Sequence, residues 1–338
     1  MMDTGFIHHY FPHIFGYLSF IANSLFIFIC LKCTRRSMGA YKYMLVMFGI
    51  FDMCYSTVDM VVSMGSHSEG NTFCLFISDG PFFNQVEAGF TALCIRCMFF
   101  SLSYGVLEVH FIYRYIALIK PYYLQIFTNP KWIIVIILGV FTQGGIWFCS
   151  VFIFLKGDDE MRSYLAEPIR RTYGVDVYKI AILGSTYWGA STELIVRTSI
   201  GILIITVISC FTIIFCIWVG WTIHKKLGVV QMSVNTKKMH RNLLRSLAVQ
   251  TFIPFVISYL PCTLTWTVPL LHIDSKTLNN YAAMAVSIFP FIDPIAIILL
   301  LPEYRNALFN LICFWRIKDR VGPEASSQQQ KGSSMGMI

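Results

Sequence analysis

Residues 196–223 read VRTSIGILIITVISCFTIIFCIWVGWTI, and after Arg197 the run carries no charge. A helix needs ~20 predominantly apolar residues to cross the hydrocarbon core of a bilayer. Inside that core a helix satisfies its backbone groups internally, so the run is read as a membrane-spanning helix from Val196 to Ile223. Working outward, six more segments pass the same test: Tyr10–Leu31, Tyr43–Ser63, Val86–Leu118, Trp132–Leu155, Ser246–Leu271 and Asn280–Leu301. The expected fold class is an all-α membrane protein, a seven-transmembrane helix bundle.

Composition agrees. Of 338 residues, 56% are hydrophobic and 13% are charged, against ~25% charged in an ordinary soluble domain. So much apolar surface exceeds what one soluble core of this length can hide, and lipid serves as part of the solvent. Phe occurs 29 times, with 17 Tyr and 7 Trp; such residues suit membrane interfaces and apolar pockets. Most of the eleven Cys lie inside the apolar runs and act there as small hydrophobes, while Cys74 falls in a connecting loop. No basic leader with a cleavage site opens the chain, so no removable signal peptide is expected.

A net charge of +8 suggests nucleic acid until its distribution is examined. Eighteen of the 26 basic residues fall in the loops and tail that share one side of the expected bundle. They include Lys32, Arg35, Arg36 and Lys42, then Arg114, Lys120 and Lys131, then Lys237, Lys238, Arg241 and Arg245. Positive charge accumulates in cytoplasmic loops. The expectation is therefore N-terminus outside, C-terminus inside, with the lipid bilayer rather than nucleic acid as the partner of the charge. The stretch from Lys156 to Arg197 is the one long connection. After the seventh span, Leu308, Leu311 and Ile312 predict a short amphipathic surface helix. Residues 1–316 are read as the seven-transmembrane domain, and the Ser/Gln/Gly-rich residues 317–338 as a disordered cytoplasmic tail.

Ionisable residues inside lipid are costly and mark function or interhelical adhesion. Arg96 and Arg114 are 18 residues apart, five whole helical turns, so both face the same way along the third span. Arg96 either receives a ligand group or pairs with an acid such as Asp59 or Glu87. Asp52 and Asp59, seven apart, share a face of the second span. Asn23, Asp52, Asp59 and Asp293 are read as an intramembrane polar cluster between spans one, two and seven. Pro254 and Pro261 in the sixth span, and Pro290 and Pro294 in the seventh, each remove a backbone hydrogen bond and are candidate hinges.

Catalytic signatures carry little: no Walker loop or H-E-x-x-H occurs, and the Cys94 and Cys97 pair lies at lipid depth. His9 and His13 stand four apart, a spacing that suits a metal, but with no acid in sequence beside them they are read as an interfacial pair. No enzyme, cofactor or metal is expected.

Several local motifs then resemble one family. His110-Phe111-Ile112-Tyr113-Arg114-Tyr115 is similar to the HFxYRY motif of nematode serpentine chemoreceptors of the Str superfamily. Pro168–Gly174 (PIRRTYG), Leu247–Pro254 (LAVQTFIP) and Phe289–Ile295 (FPFIDPI) are similar to that superfamily in the same order, with class J the nearest subgroup. The resemblance implies a G-protein-coupled receptor for an odorant or other small chemical cue, in the plasma membrane of a sensory cilium, working through a heterotrimeric G protein. The second outer loop holds no Cys, so the disulfide usual in rhodopsin-like receptors cannot form. Ile297 stands where an Asn-Pro-x-x-Tyr pattern would place its Tyr.

The expected ligand pocket lies between spans three, five, six and seven, with Arg96 as anchor and Tyr104, Trp266 and Tyr281 as walls. Tyr113, Arg114, Tyr115, Lys237, Lys238, Arg241 and Arg245 are the candidate G-protein contacts. The competing class is a ligand-gated channel or transporter, which needs a continuous polar pore or internal repeats that the sequence does not display.

Overall fold

The structure is a computed structural model and describes residues 4–33, 41–229, 233–271 and 276–320. Seven helical segments are long and apolar enough to cross a membrane. They are α1 (Thr4–Cys33), α2 (Tyr41–Val61), α3 (Val86–Ile119), α4 (Pro130–Phe154), α6 (Thr192–Val229), a composite sixth span, and α9 (Lys276–Leu300). The composite span joins α7 (Val234–Pro254), a π turn (Phe255–Tyr259), α8 (Leu260–Thr267) and a 3₁₀ turn (Val268–Leu271). The helices run longer than hydropathy alone marked, chiefly where α6 reaches Val229 and α7 begins at Val234.

Local chemistry places several of these ends. Asn129 caps α4, its side chain accepting from the Lys131 backbone N–H, with Pro130 in the first turn where no N–H is needed. In α4 only Gly144, Trp147, Ser150 and Val151 are buried, and Leu138, Phe141 and Ile153 face outward, as suits a helix bathed in lipid. Helices α3 and α4 approach closely through glycine: a Cβ on Gly144 would lie 2.6 Å from Leu102, and one on Gly105 2.9 Å from Val140. Two of the hydrophobic clusters in the bundle matter most for the sites. One holds Tyr55, Phe100, Tyr104, Trp147, Tyr259 and Phe289. The other holds Phe26, Tyr41, Leu45, Tyr113, Leu243 and Tyr304.

One end of the bundle carries a structure the sequence reading did not allot. Strands β1 (Ser63–Glu69), β2 (Thr72–Asp79) and β3 (Ile182–Thr186) form an antiparallel sheet in that order. β1 and β2 make a hairpin whose closing pair is Glu69 and Thr72, turning on Gly70 at φ 56° and Asn71. β3 joins from the Lys156–Arg197 connection, which also folds helix α5 (Asp159–Tyr173). Asp158 caps α5 by accepting from Met161 N–H, and Gly174, at φ 70°, ends it. Met161, Leu165 and Ile169 lie along one face of α5 and pack with Phe76, Val177 and Ile182 into a small separate core. The expected long polar loop is thus a folded cap.

Helix α10 (Pro302–Arg320) follows the seventh span at the opposite end and packs on α1 and α9, with Ala307 and Leu308 against the second cluster. It continues past the domain boundary drawn at residue 316. The tail at 321–338, and the basic residues Arg35 and Arg36, lie outside the described residues.

Candidate functional site

A cavity of about 70 Å³ sits under the sheet. Its walls are Arg96, Cys97 and Phe100 of α3, Trp147 and Val151 of α4, Ile202 and Ile205 of α6, Thr265 and Trp266 of α8, and Ala282 and Val286 of α9. Its roof is the sheet: Ser66 of β1, Phe73 and Leu75 of β2, Leu183 and Gly184 of β3. The lining is apolar with few polar atoms. Trp266 Nε1 is buried and has no hydrogen-bond partner among the described residues, while the Trp266 carbonyl accepts from the Tyr187 hydroxyl at 2.5 Å. An indole N–H without a partner is a donor held ready for an acceptor.

Arg96 is 1% exposed. Its Nε and one Nη donate to Asp59 Oδ1 at 3.1 and 2.6 Å, and its guanidinium lies 4.4 Å from the centre of the Tyr55 ring. Of the two acids considered, Asp59 is the partner; Glu87 instead pairs with Lys156 at 3.0 Å. Arg96 still lines the cavity, so it is both paired and available at the wall.

The other expected wall residues divide. Trp266 lines the cavity. Tyr104 lies against Phe100 and Trp147 of the wall, donates to Ser209 Oγ at 3.3 Å, and meets Tyr259 edge-on at 4.3 Å. Tyr281 is 60% exposed and points out of the bundle, because Ala282 and Val286 are on the inner face of α9. Sequence reasoning missed Phe100, Trp147, Thr265 and Tyr259. Phe100 and Tyr104 follow Arg96 at four-residue steps, a spacing that marks one helix face.

The expected polar cluster separates by depth. Two helical turns, about 11 Å, part Asp52 from Asp59; Asp59 therefore belongs to Arg96, not to the cluster. What assembles lower is Ser19, Asn23, Ser56, Asp52 and Asp293, all buried. Pro294 has no N–H to offer the carbonyl four residues earlier, that of Pro290. That freed carbonyl accepts from Asn23 Nδ2 at 2.9 Å and from Ser19 Oγ at 3.2 Å. The Ser56 hydroxyl donates to Ser19 Oγ at 2.8 Å. Both oxygens of Asp52 and one of Asp293 find no hydrogen-bond partner among the described residues. In the sixth span, Pro254 ends α7 and Pro261 opens α8, and the π turn lies between them. Tyr259 within that turn shares a 2.8 Å hydrogen bond with Ser103.

At the other end, Tyr113 stacks on Tyr41 and meets Phe127 edge-on. Arg114 lies over the Tyr41 ring, with Nε and Nη2 buried and unpartnered. Gln250 of α7 is likewise buried with both amide atoms unpaired. Tyr115 packs among Phe111, Ile223 and Leu247. Lys237 donates to the Gly228 carbonyl at 3.2 Å and so ties α7 to the end of α6, and Lys238 is exposed. Arg241 and Arg245 line a cleft of about 680 Å³ between α3, α6 and α7, together with Phe111, Trp221 and Phe252. Tyr259 forms part of that cleft as well, so it stands between the two cavities.

Seven spans, a capped cavity at one end and a basic cleft at the other define a multi-pass membrane receptor of the G-protein-coupled type. The chain belongs to the family described as Serpentine type 7TM GPCR chemoreceptor Srj, which it matches over residues 2–308. It is similar to Serpentine receptor class J-38 of Caenorhabditis elegans, 32% identical over 323 residues, covering 94% of this chain and 95% of that one. It is also similar to Serpentine receptor class r-10 of C. elegans, 25% identical with 88% of each chain covered. G-protein coupled receptor str-33 of C. elegans is 24% identical with 86% of each covered.

Proposed function

We propose that the chain is a chemosensory receptor that binds a small, mostly apolar cue in the cavity beneath the sheet and activates a heterotrimeric G protein at the basic end. The supporting observation is Tyr259, which touches Tyr104 and Ser103 on the cavity side and lines the cleft on the other. In this reading the sheet end faces outside and the Lys/Arg-rich end faces the cytoplasm, following the charge distribution. Asp59 neutralises Arg96, so the cavity favours a neutral hydrogen-bond acceptor, such as a carbonyl, over an anion. The acceptor takes Arg96 and Trp266 Nε1 as donors, and the apolar walls take the rest.

A ligand shifts the receptor only by binding one state better than another. Filling the cavity against Phe100 and Tyr104 displaces Tyr259. The π turn between Pro254 and Pro261 gives α7 a point to pivot on. Its movement widens the cleft beside Arg114, where Arg241 and Arg245 meet the G protein. The family setting supports the plasma membrane of a sensory cilium as its site.

The test is expression in cells with a panel of volatile and soluble compounds, recording second messenger and membrane current together. The expected result is a second-messenger response that disappears when G proteins are blocked. Current that persists under that block would replace the receptor reading with a channel.

A further inference from the structure

His9 and His13 acquire in the fold the acid that the sequence did not put beside them. Asp79, the last residue of β2, brings its carboxylate against His9 Nδ1. His13 Nδ1 lies 3.0 Å from the His9 backbone carbonyl. Carboxylates and carbonyls accept hydrogen bonds, so in the neutral imidazoles both Nδ1 atoms carry the proton and both Nε2 atoms keep a lone pair. Neither Nε2 has a hydrogen-bond partner among the described residues. Histidines that bind metals hold their second nitrogen in this way, on a carboxylate or a backbone carbonyl.

The distances allow a shared ion. With a metal–nitrogen bond of about 2.1 Å and a ring radius of about 1.1 Å, two imidazole centres around one metal stand about 5.2 Å apart at a tetrahedral N–metal–N angle and about 6.4 Å apart at a linear one. The two centres are 5.9 Å apart with the rings tilted by 34°. No group of three or more His, Cys, Asp or Glu gathers at this point or elsewhere among the described residues, so water completes the coordination. His9 is exposed and reachable from solvent.

We propose that His9 and His13 form a two-nitrogen site for a divalent transition-metal ion of the Cu²⁺ or Zn²⁺ class, with Asp79 as the positioning residue for His9. Imidazole ligands exclude Ca²⁺ and Mg²⁺, which take oxygen. The site lies where the start of α1 meets the end of β2, with both ligands on α1 and Asp79 on the cap. It is independent of the ligand cavity and of the receptor reading.

The experiment titrates Cu²⁺ into the full-length chain in lipid nanodiscs and reads the electron paramagnetic resonance spectrum. One Cu²⁺ per chain coupled to two imidazole nitrogens is expected, with an excess of Ca²⁺ unable to displace it. His13→Gln, which keeps size and polarity, loses the two-nitrogen pattern. Asp79→Asn retains the pattern but binds about 10- to 100-fold more weakly. Circular dichroism of the metal-free variants, unchanged in helix content, shows that they fold. A wild-type spectrum with one nitrogen or none, Cu²⁺ affinity unchanged in His13→Gln, or affinity unchanged in Asp79→Asn overturns the proposal.

Discussion

At the scale of single residues, Arg96 and Asp59 form the one closely paired buried ion pair among the described spans, with Tyr55 as a third partner. Removing one member of such a pair strands a charge in a low-dielectric interior and costs about 3–5 kcal/mol, whereas removing both costs far less than the sum. Asp59→Ala is therefore expected to lower the thermal midpoint of purified receptor sharply, and Asp59→Ala/Arg96→Ala to recover part of the loss. A double variant destabilised by the full sum of the two single losses would disprove the coupling. Cys74 offers a second measurement. Burial in the cap raises its thiol from 9.0 to about 12. An unfolded chain releases that proton near pH 9 while the folded chain keeps it, so the contribution to stability is whole below pH 9 and disappears as pH rises toward 12. At pH 8 a maleimide should label Cys74 only after the cap opens, and prompt labelling in the native state would contradict the packing. Sequence spacing made the Arg96–Asp59 pair legible as one of two choices, since the helix faces follow from residue number. Selecting Asp59 over Glu87 needed the rotation of α2 against α3, which hydropathy does not encode.

At the scale of elements, interrupted helices carry the polar contacts. Pro294 frees the Pro290 carbonyl, and Asn23 and Ser19 of α1 take it up. Asn23→Ala leaves that carbonyl with Ser19 alone, and a loss of about 1–3 kcal/mol in thermal unfolding is expected from the weakened satisfaction of a buried acceptor. Pro294→Ala restores the N–H and should make the same Asn23 substitution nearly harmless. If Asn23→Ala costs as much in the Pro294→Ala background, the carbonyl is not what Asn23 serves. In the cap, Gly184 admits β3 against β2: a Cβ there would lie 2.9 Å from Cys74 Cα and collide with the Phe73 carbonyl. Gly184→Val is expected to detach β3, raise Cys74 labelling and abolish the cavity roof; a variant with wild-type labelling would show that the strands have room to spare. The helices were legible because each is a single long apolar run. The sheet was not, although Gly70-Asn71 between two short runs is a hairpin signal. β3 is only five residues long and pairs with β2 across more than a hundred residues, so no local period announced it. The amphipathic face of α5 was present in the sequence but lay inside a stretch judged only by its polarity.

At the scale of the whole molecule, two hollows at opposite ends of one bundle are separated by a layer of Phe100, Tyr104 and Tyr259. Reversing charge at the basic cleft tests the proposed direction of signalling. Arg241→Glu with Arg245→Glu should reduce G-protein activation by an order of magnitude or more while leaving ligand affinity in G-protein-free membranes unchanged, because both residues are exposed and remote from the cavity. A parallel loss of ligand binding would show that the two ends are not separable in this way. The cap, finally, is joined to itself by backbone pairing between β2 and β3, and Cys74 in its midst is a free thiol. Its assembly therefore does not wait on oxidation. The receptor should mature in cells deprived of disulfide-forming enzymes, and millimolar reductant in the bathing medium should neither unfold its capped end nor silence it.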